Sequence, residues 1–245
     1  MTKLSDIAAM LHSPVEKRLF AEYGAIFITR ATPPPTIIFT DADAVDNFQI
    51  TLDTRKATFG EYEIELQREA CDALLAAAYE AAQTGLTISA RAADAGRRSY
   101  ADTVGLWLRN VGRGLEHWLK LEKLDANHVA AIQSLSPAEQ VSVILELEDR
   151  EQIYFGTFFD KSILYSVAAP GASQHLSMLA FDVMEYQDSE VERRLNAQGW
   201  FRTVVNDLPH FTYLGHAEKA LPELGLHKVS RLYGESNFSF WIPAL

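Results

Sequence analysis

Apolar residues recur at helical spacing most clearly over residues 65–84, where Leu66, Ala70, Ala73, Leu74 and Ala77 form one stripe. The pattern predicts an amphipathic helix that buries this stripe and stops at Gly85. Three more helices are marked by their first residues. Ser13-Pro14-Val15-Glu16, Ser99-Tyr100-Ala101-Asp102 and Ser136-Pro137-Ala138-Glu139 each put a serine three positions before a carboxylate. That spacing lets the two side chains satisfy the free amides of a helix N-terminus, and proline suits the first helical position. The first of these helices should end at Gly24 in the left-handed conformation. The second carries Val104, Leu106, Trp107 and Leu108 and should reach Gly112, with a separate helical segment around His117, Trp118 and Leu119. The third should reach Glu148, with Val141, Ile144 and Leu145 inward. Residues 41–48 read as a short helix with acidic caps, after a stiff Pro33-Pro34-Pro35 link.

Short apolar runs read as strands at residues 25–29, 37–39 and 86–89, and then densely at 154–159, 163–167, 179–186, 201–205 and 210–214. A helix over 189–197 should stop at Gly199, a helical segment over 216–224 is broken by Pro222, and 229–233 with 238–242 should close as a hairpin over Gly234. There is no internal repeat and no low-complexity segment. Helices first and strands later predict an α+β fold in a single domain.

Composition narrows the partners. Nearly half of the 245 residues are hydrophobic, enough for a sizeable core, and the net charge of −11 argues against a nucleic-acid partner. No apolar stretch approaches the ~20 residues of a membrane span. The lone Cys71 lies in a helical pattern and reads as a buried thiol. The N-terminus lacks the basic start and apolar run of a signal peptide, so the chain is expected in the periplasm or cell envelope if a leader has been removed, with the cytoplasm as the alternative.

Candidate chemistry concentrates between Pro170 and Tyr213. Leu179, Phe181 and Val183 share one face of the predicted strand, which turns Asp182 and the small Ala180 to the other. A carboxylate there needs a partner. His175 precedes it with six residues between, and zinc accepts His nitrogens and carboxylate oxygens at about 2 Å. His210 would complete a three-ligand set, with Asp207, three residues earlier, as a nearby base outside the ligand set. His12, His117, His128, His216 and His227 lack such company; His216 is the nearest rival to His210 but follows Gly215 at a predicted helix start, where exposure is expected. Arg98, in a loop with Arg91 and Arg97, offers a fork of donors to a carboxylate or oxyanion just before a helix N-terminus.

Ser173-Gln174-His175, six residues and Asp182, followed later by Asp207-Leu208-Pro209-His210, resembles the zinc D-alanyl-D-alanine carboxypeptidase and dipeptidase family, which includes the vancomycin-resistance peptidases. The first motif matches down to the alanine two before the aspartate. Met178, Pro209 and Asp207 stand where that family has glycine, tryptophan and its catalytic glutamate, and Ala95 stands where its arginine motif begins with serine. The resemblance implies a small antiparallel sheet carrying a zinc site, flanked by helices, with a metallopeptidase core over 86–215. A helical N-terminal extension over 1–85 and a closing segment over 216–245 would complete the domain. It implies His175, Asp182 and His210 on Zn2+, Asp207 and Arg98 as catalytic groups, and Ser173, Arg98 and Ser99 on the substrate. That substrate would be a peptidoglycan stem peptide or a short D-amino-acid peptide. A non-catalytic peptidoglycan- or peptide-binding module that keeps the metal site is the alternative.

Overall fold

The computed structural model describes residues 3–244. The helices are α1 Leu4–Ala8, α2 Pro14–Tyr23, α3 Ala42–Gln49, α4 Arg68–Ala82, α5 Tyr100–Lys120, α6 Ala126–Ser134, α7 Pro137–Glu151 and α8 Ser189–Ala197. The strands are β1 Thr54–Phe59, β2 Tyr62–Gln67, β3 Ala180–Asp182, β4 Trp200–Phe201, β5 His210–Tyr213, β6 Leu226–Tyr233 and β7 Ser236–Pro243. They form an antiparallel hairpin β1-β2, a three-stranded antiparallel sheet in the order β3-β5-β4, and a second hairpin β6-β7. The fold is α+β, as the pattern of apolar positions predicts.

The three serine caps form as read. Ser13 Oγ accepts from the Glu16 amide at 3.0 Å while the Glu16 carboxylate accepts from the Ser13 amide at 3.1 Å, and Ser99 with Asp102 and Ser136 with Glu139 repeat the exchange. Two glycines behave otherwise than expected. Gly24 follows α2 but keeps φ −67°, and the chain runs on as the 3-10 turn Gly24–Ile28, so the strand expected at 25–29 is absent. Glycine is needed there for space, since a Cβ would lie 2.7 Å from the Phe20 ring. α5 passes through Gly112 to Lys120 and takes in His117, Trp118 and Leu119. Its buried stripe of Thr103, Trp107, Val111 and Leu115 continues unbroken, and that burial outweighs the ~1 kcal/mol that each helical glycine costs. Gly114 admits the Phe155 ring, 2.3 Å from where its Cβ would sit.

Several expected strands are not strands. Residues 154–167 hold only the 3-10 turn Ile163–Tyr165, because their amides are satisfied from the side. The buried Glu148 carboxylate accepts from Phe155 N at 3.1 Å and Ile163 N at 2.7 Å, so no ladder is required. Residues 37–39 form no strand, and 86–89 lead only to a single bridge, Ala90 to Val183. The strands expected over 179–186 and 201–205 shrink to β3 and β4. The helix expected from residue 65 starts at Arg68 because Glu65 to Gln67 pair in β2. The β1-β2 hairpin itself was not anticipated, although Phe59-Gly60-Glu61-Tyr62 carries glycine, at φ 67°, as the first residue of a two-residue turn. The segment 216–224 breaks into 3-10 turns Glu218–Ala220 and Pro222–Leu224.

Two cores hold the chain. One gathers α2, α5, α6 and α7 around Phe20, Trp107, Leu115, Ile144 and Phe155. The other packs Leu66, Leu74 and Ala77 from β2 and α4 beneath Phe181, Trp200 and Phe211 of the three-stranded sheet. Residues before Gly85 contribute to both. Leu179, Phe181 and Val183 all enter the second core, so Asp182 faces the opposite side.

Candidate metal centre

Pairing of β3 with β5 sets Asp182 directly opposite His210. Directly opposed residues project from the same face of a sheet, their Cβ atoms about 5 Å apart. His175 reaches them from the 3-10 turn Gln174–Ser177. Met178 closes that turn in the left-handed conformation, φ 55° and ψ 31°, and returns the chain to β3. The turn is held from the N-terminal segment: Gln49 Nε2 donates to Leu176 O at 2.9 Å, Gln67 Nε2 to Ser177 O at 2.8 Å, and Gln67 N to Met178 O at 3.0 Å.

His175, Asp182 and His210 each offer one ligand atom, and these atoms all lie within 4.8 Å of one another. Asp182 Oδ1 stands 3.3 Å from His175 Nε2 and 3.2 Å from His210 Nδ1. The opposite nitrogens decide what faces Oδ1. His175 Nδ1 lies 2.7 Å from Gly96 O, which can only accept, so Nδ1 carries the proton and Nε2 presents a lone pair. His210 Nε2 lies 2.9 Å from Gln174 Oε1. That amide cannot be reversed, because Gln174 Nε2 must donate to Tyr23 O, 2.9 Å away. His210 therefore also carries its proton on the far nitrogen and turns a lone pair inward.

Three acceptors thus converge with no donor between them, and His175 Nε2 is buried without a hydrogen bond to any described residue. A cation relieves this. Ligands about 2 Å from a tetrahedral metal lie about 3.3 Å apart, the separation that Asp182 keeps from both rings. The protonation states suit a ligand set. Burial holds the His175 imidazole below its usual range, although Asp182 works against this. Burial would raise Asp182, yet positive charge at the His175 and His210 rings, the place a cation would take, outweighs it and holds the carboxyl well below the usual carboxylate range. These three residues could hold a metal ion.

A cavity of about 200 Å³ opens beside them, lined by His175, His210, Arg98, Ser173 and Asp207 on one side. Leu106 and Asn110 of α5 and Leu164 to Ala168 form the other. The Ser173 hydroxyl lines it and takes no hydrogen bond from a described residue. Asp207 is exposed, on a turn whose Asn206 has φ 72°, and no described residue hydrogen-bonds its carboxyl. Desolvation within the recess pushes that carboxyl up, and the Asp182 charge adds to the effect, while His210, His175 and Arg98 oppose it.

Arg98 donates through Nη2 to Asp182 Oδ2 at 2.7 Å and through Nε to Asp94 O at 3.1 Å. It thus steadies the Asp182 carboxylate, and Nη1 makes no hydrogen bond to a described residue. Arg97 turns away to Gln49 and Glu65, and Arg91 lies over the Tyr186 ring. Ser99 is not among the residues lining the cavity, and its hydroxyl is engaged with Asp102 in the α5 cap. His216 is buried, not exposed, with Nε2 2.7 Å from Ile28 O, because Gly215 turns it inward under the N-terminal segment. Gln174, Gly96 and Tyr23 escaped sequence reasoning. Only Gln174, inside the Ser173 to His175 motif, carried a signal, as a polar side chain wedged between two site residues.

Comparison with family models, with curated proteins and with solved structures finds no match for this chain.

Proposed function

We propose that this protein is a zinc-dependent peptidase of the D-alanyl-D-alanine carboxypeptidase type, acting on peptidoglycan stem peptides or short D-amino-acid peptides. The observation that carries the reading is the convergence of two inward lone pairs and one carboxylate oxygen beside a cavity that also holds a carboxyl without a partner among the described residues. Two nitrogens and a carboxylate oxygen are a donor set that zinc favours, and three protein ligands are typical of a catalytic zinc site. Met178 adds support, since it takes the left-handed conformation natural to glycine at the position where the resembled family has glycine.

Zinc bound there supplies Lewis acidity, which acidifies water and polarises the scissile carbonyl. The chain's own residues do the rest. Asp207 accepts the proton of the attacking water as the new C–O bond forms, and returns it to the leaving nitrogen as the C–N bond breaks. Arg98 keeps Asp182 ionised and fixed, and its remaining Nη1 can meet negative charge on the carbonyl oxygen. The Ser173 hydroxyl is free to hydrogen-bond the peptide.

The test is hydrolysis of defined muropeptides followed by mass spectrometry, with metal content measured on the same samples. Wild type should carry one zinc and release a terminal residue. Asp207→Asn should keep the zinc and lose about 10²–10⁴-fold in turnover, the usual weight of a general base. Zinc with no cleavage of any muropeptide by wild type would leave a binding module; equal turnover in Asp207→Asn would remove that residue as the base.

A further inference from the structure

We propose that Gln174 is a positioning residue that selects which nitrogen of His210 faces the metal centre; the consequence for metal affinity rests on the metal-site reading above. Gln174 is buried at 3 % exposure and every polar atom of its amide is used. Oε1 receives His210 Nε2 at 2.9 Å, Thr212 Oγ1 at 2.5 Å and Thr203 Oγ1 at 3.3 Å, and Nε2 donates to Tyr23 O at 2.9 Å. The Tyr23 carbonyl therefore fixes the amide, and the amide fixes the imidazole. One hydrogen bond carries the influence of the N-terminal segment onto a ligand.

The lock matters because the other tautomer of His210 has a partner waiting. With the proton on Nδ1, His210 would donate to Asp182 Oδ1, 3.2 Å away. That bond would occupy two of the three ligand atoms at once and compete directly with a cation. Gln174 opposes it, because with the proton on Nδ1 the His210 Nε2 lone pair would face Gln174 Oε1 at 2.9 Å with no proton between them. Two buried acceptors set against each other without a proton disfavour that tautomer. Thr203 and Thr212 leave no hydroxyl proton to spare for His210 Nε2, because Thr212 donates to Gln174 Oε1 and one proton fills the 2.7 Å contact between the two hydroxyls.

Two variants separate positioning from mere packing. Gln174→Met keeps the volume and loses both the acceptor and the donor. Gln174→Glu keeps an acceptor for His210 and loses the amide donor to Tyr23 O. Competition for zinc against a chelator should show Gln174→Met weakened by about 10–100-fold, the usual weight of such a supporting partner. Gln174→Glu should bind zinc about as well as wild type even though its Tm falls. A purely structural role predicts instead that affinity follows Tm in both. The tautomer is read independently by long-range 1H–15N correlation of the histidines in metal-free protein. Wild type and Gln174→Glu should show His210 protonated on Nε2, and Gln174→Met should show protonation on Nδ1 or an average. A wild type that binds no zinc but shows this tautomer pattern sinks the metal reading and leaves Gln174 its role. Unchanged His210 signals in folded Gln174→Met overturn the proposal.

Discussion

The three candidate metal ligands and the proposed base Asp207 meet at one cavity, lined by His175, His210 and Asp207 with Asp182 beside it, and are built in opposite ways. His175, Asp182 and His210 are tied on their far sides to Gly96, Arg98 and Gln174. Their freedom has been removed before any metal arrives. Asp207 is held only through its backbone. Its carbonyl accepts from His210 N at 3.3 Å, Arg202 Nε grips the next carbonyl, Leu208 O, at 2.8 Å, and Tyr233 Oη holds Asn206 Oδ1 at 2.6 Å. Its carboxyl lines the recess without a hydrogen bond to any described residue. A ligand atom gains from being fixed, because the cost of ordering it falls on folding and not on binding. A proton carrier must instead reach both water and a leaving nitrogen, so a permanent partner would hinder it. The contrast predicts that changes on the ligand side are read first in metal content, and changes at Asp207 in turnover alone.

The largest effect should come from His175→Ala and His210→Ala. Either change removes one of three ligands, and zinc measured by elemental analysis should fall from one per chain to near zero, with turnover lost alongside. The fold should survive with some loss of Tm, since both imidazoles are buried but the apolar cores under the sheet and around α5 remain. Full zinc occupancy in His210→Ala would break the division between the two sides, and the ligand set would have to be redrawn.

Arg98→Lys should have a middling effect, and on both readouts. Lysine keeps a positive charge near Asp182 but cannot donate at once to Asp182 Oδ2 and Asp94 O, as the planar guanidinium does. Zinc affinity should fall by about tenfold, the lower end for a partner behind a ligand, with saturating zinc still giving one ion per chain. Turnover should fall as well, because Nη1 is lost to the carbonyl oxygen. An Arg98→Lys protein with wild-type affinity and reduced turnover would place Arg98 with Asp207, on the reacting side.

Much of this site was legible in the residues alone, and the limit has a physical cause. The facing of Asp182 follows from the period of two at Leu179, Phe181 and Val183, and the helix starts follow from serine and carboxylate three apart; both are local rules. The supports of the ligands are not local. Gln174 acts through Tyr23 O, 151 positions away, and Gly96 meets His175 from 79 away, through a backbone carbonyl that every residue possesses. Residues 154–167 failed for a related reason. Their β-like apolar pattern is real, but one buried carboxylate, Glu148, takes the amides that a neighbouring strand would have taken. Ser99 is the reverse case, a residue with two legible roles of which the structure uses one.

Ser99→Ala should have the smallest effect, and it decides between those roles. Ser99 Oγ accepts from Asp102 N at 3.2 Å and lies 2.7 Å from Asp102 Oδ2, which also accepts from Ser99 N at 2.8 Å. Alanine ends the first two contacts and leaves the third. Loss of such a cap costs about 1 kcal/mol, which in a chain of this size lowers Tm by about 2–4 °C. The rest of α5 stays in place, because Trp107, Val111 and Leu115 are buried along it. Thr103, Leu106 and Asn110, which α5 lends to the cavity wall, therefore keep their positions. Zinc content, KM and kcat should all match wild type while Tm drops. A substrate role for the hydroxyl predicts the reverse, a raised KM at unchanged Tm. That outcome would mean the cap opens when peptide binds and that Ser99 belongs with Asp207 among the groups kept free for the substrate.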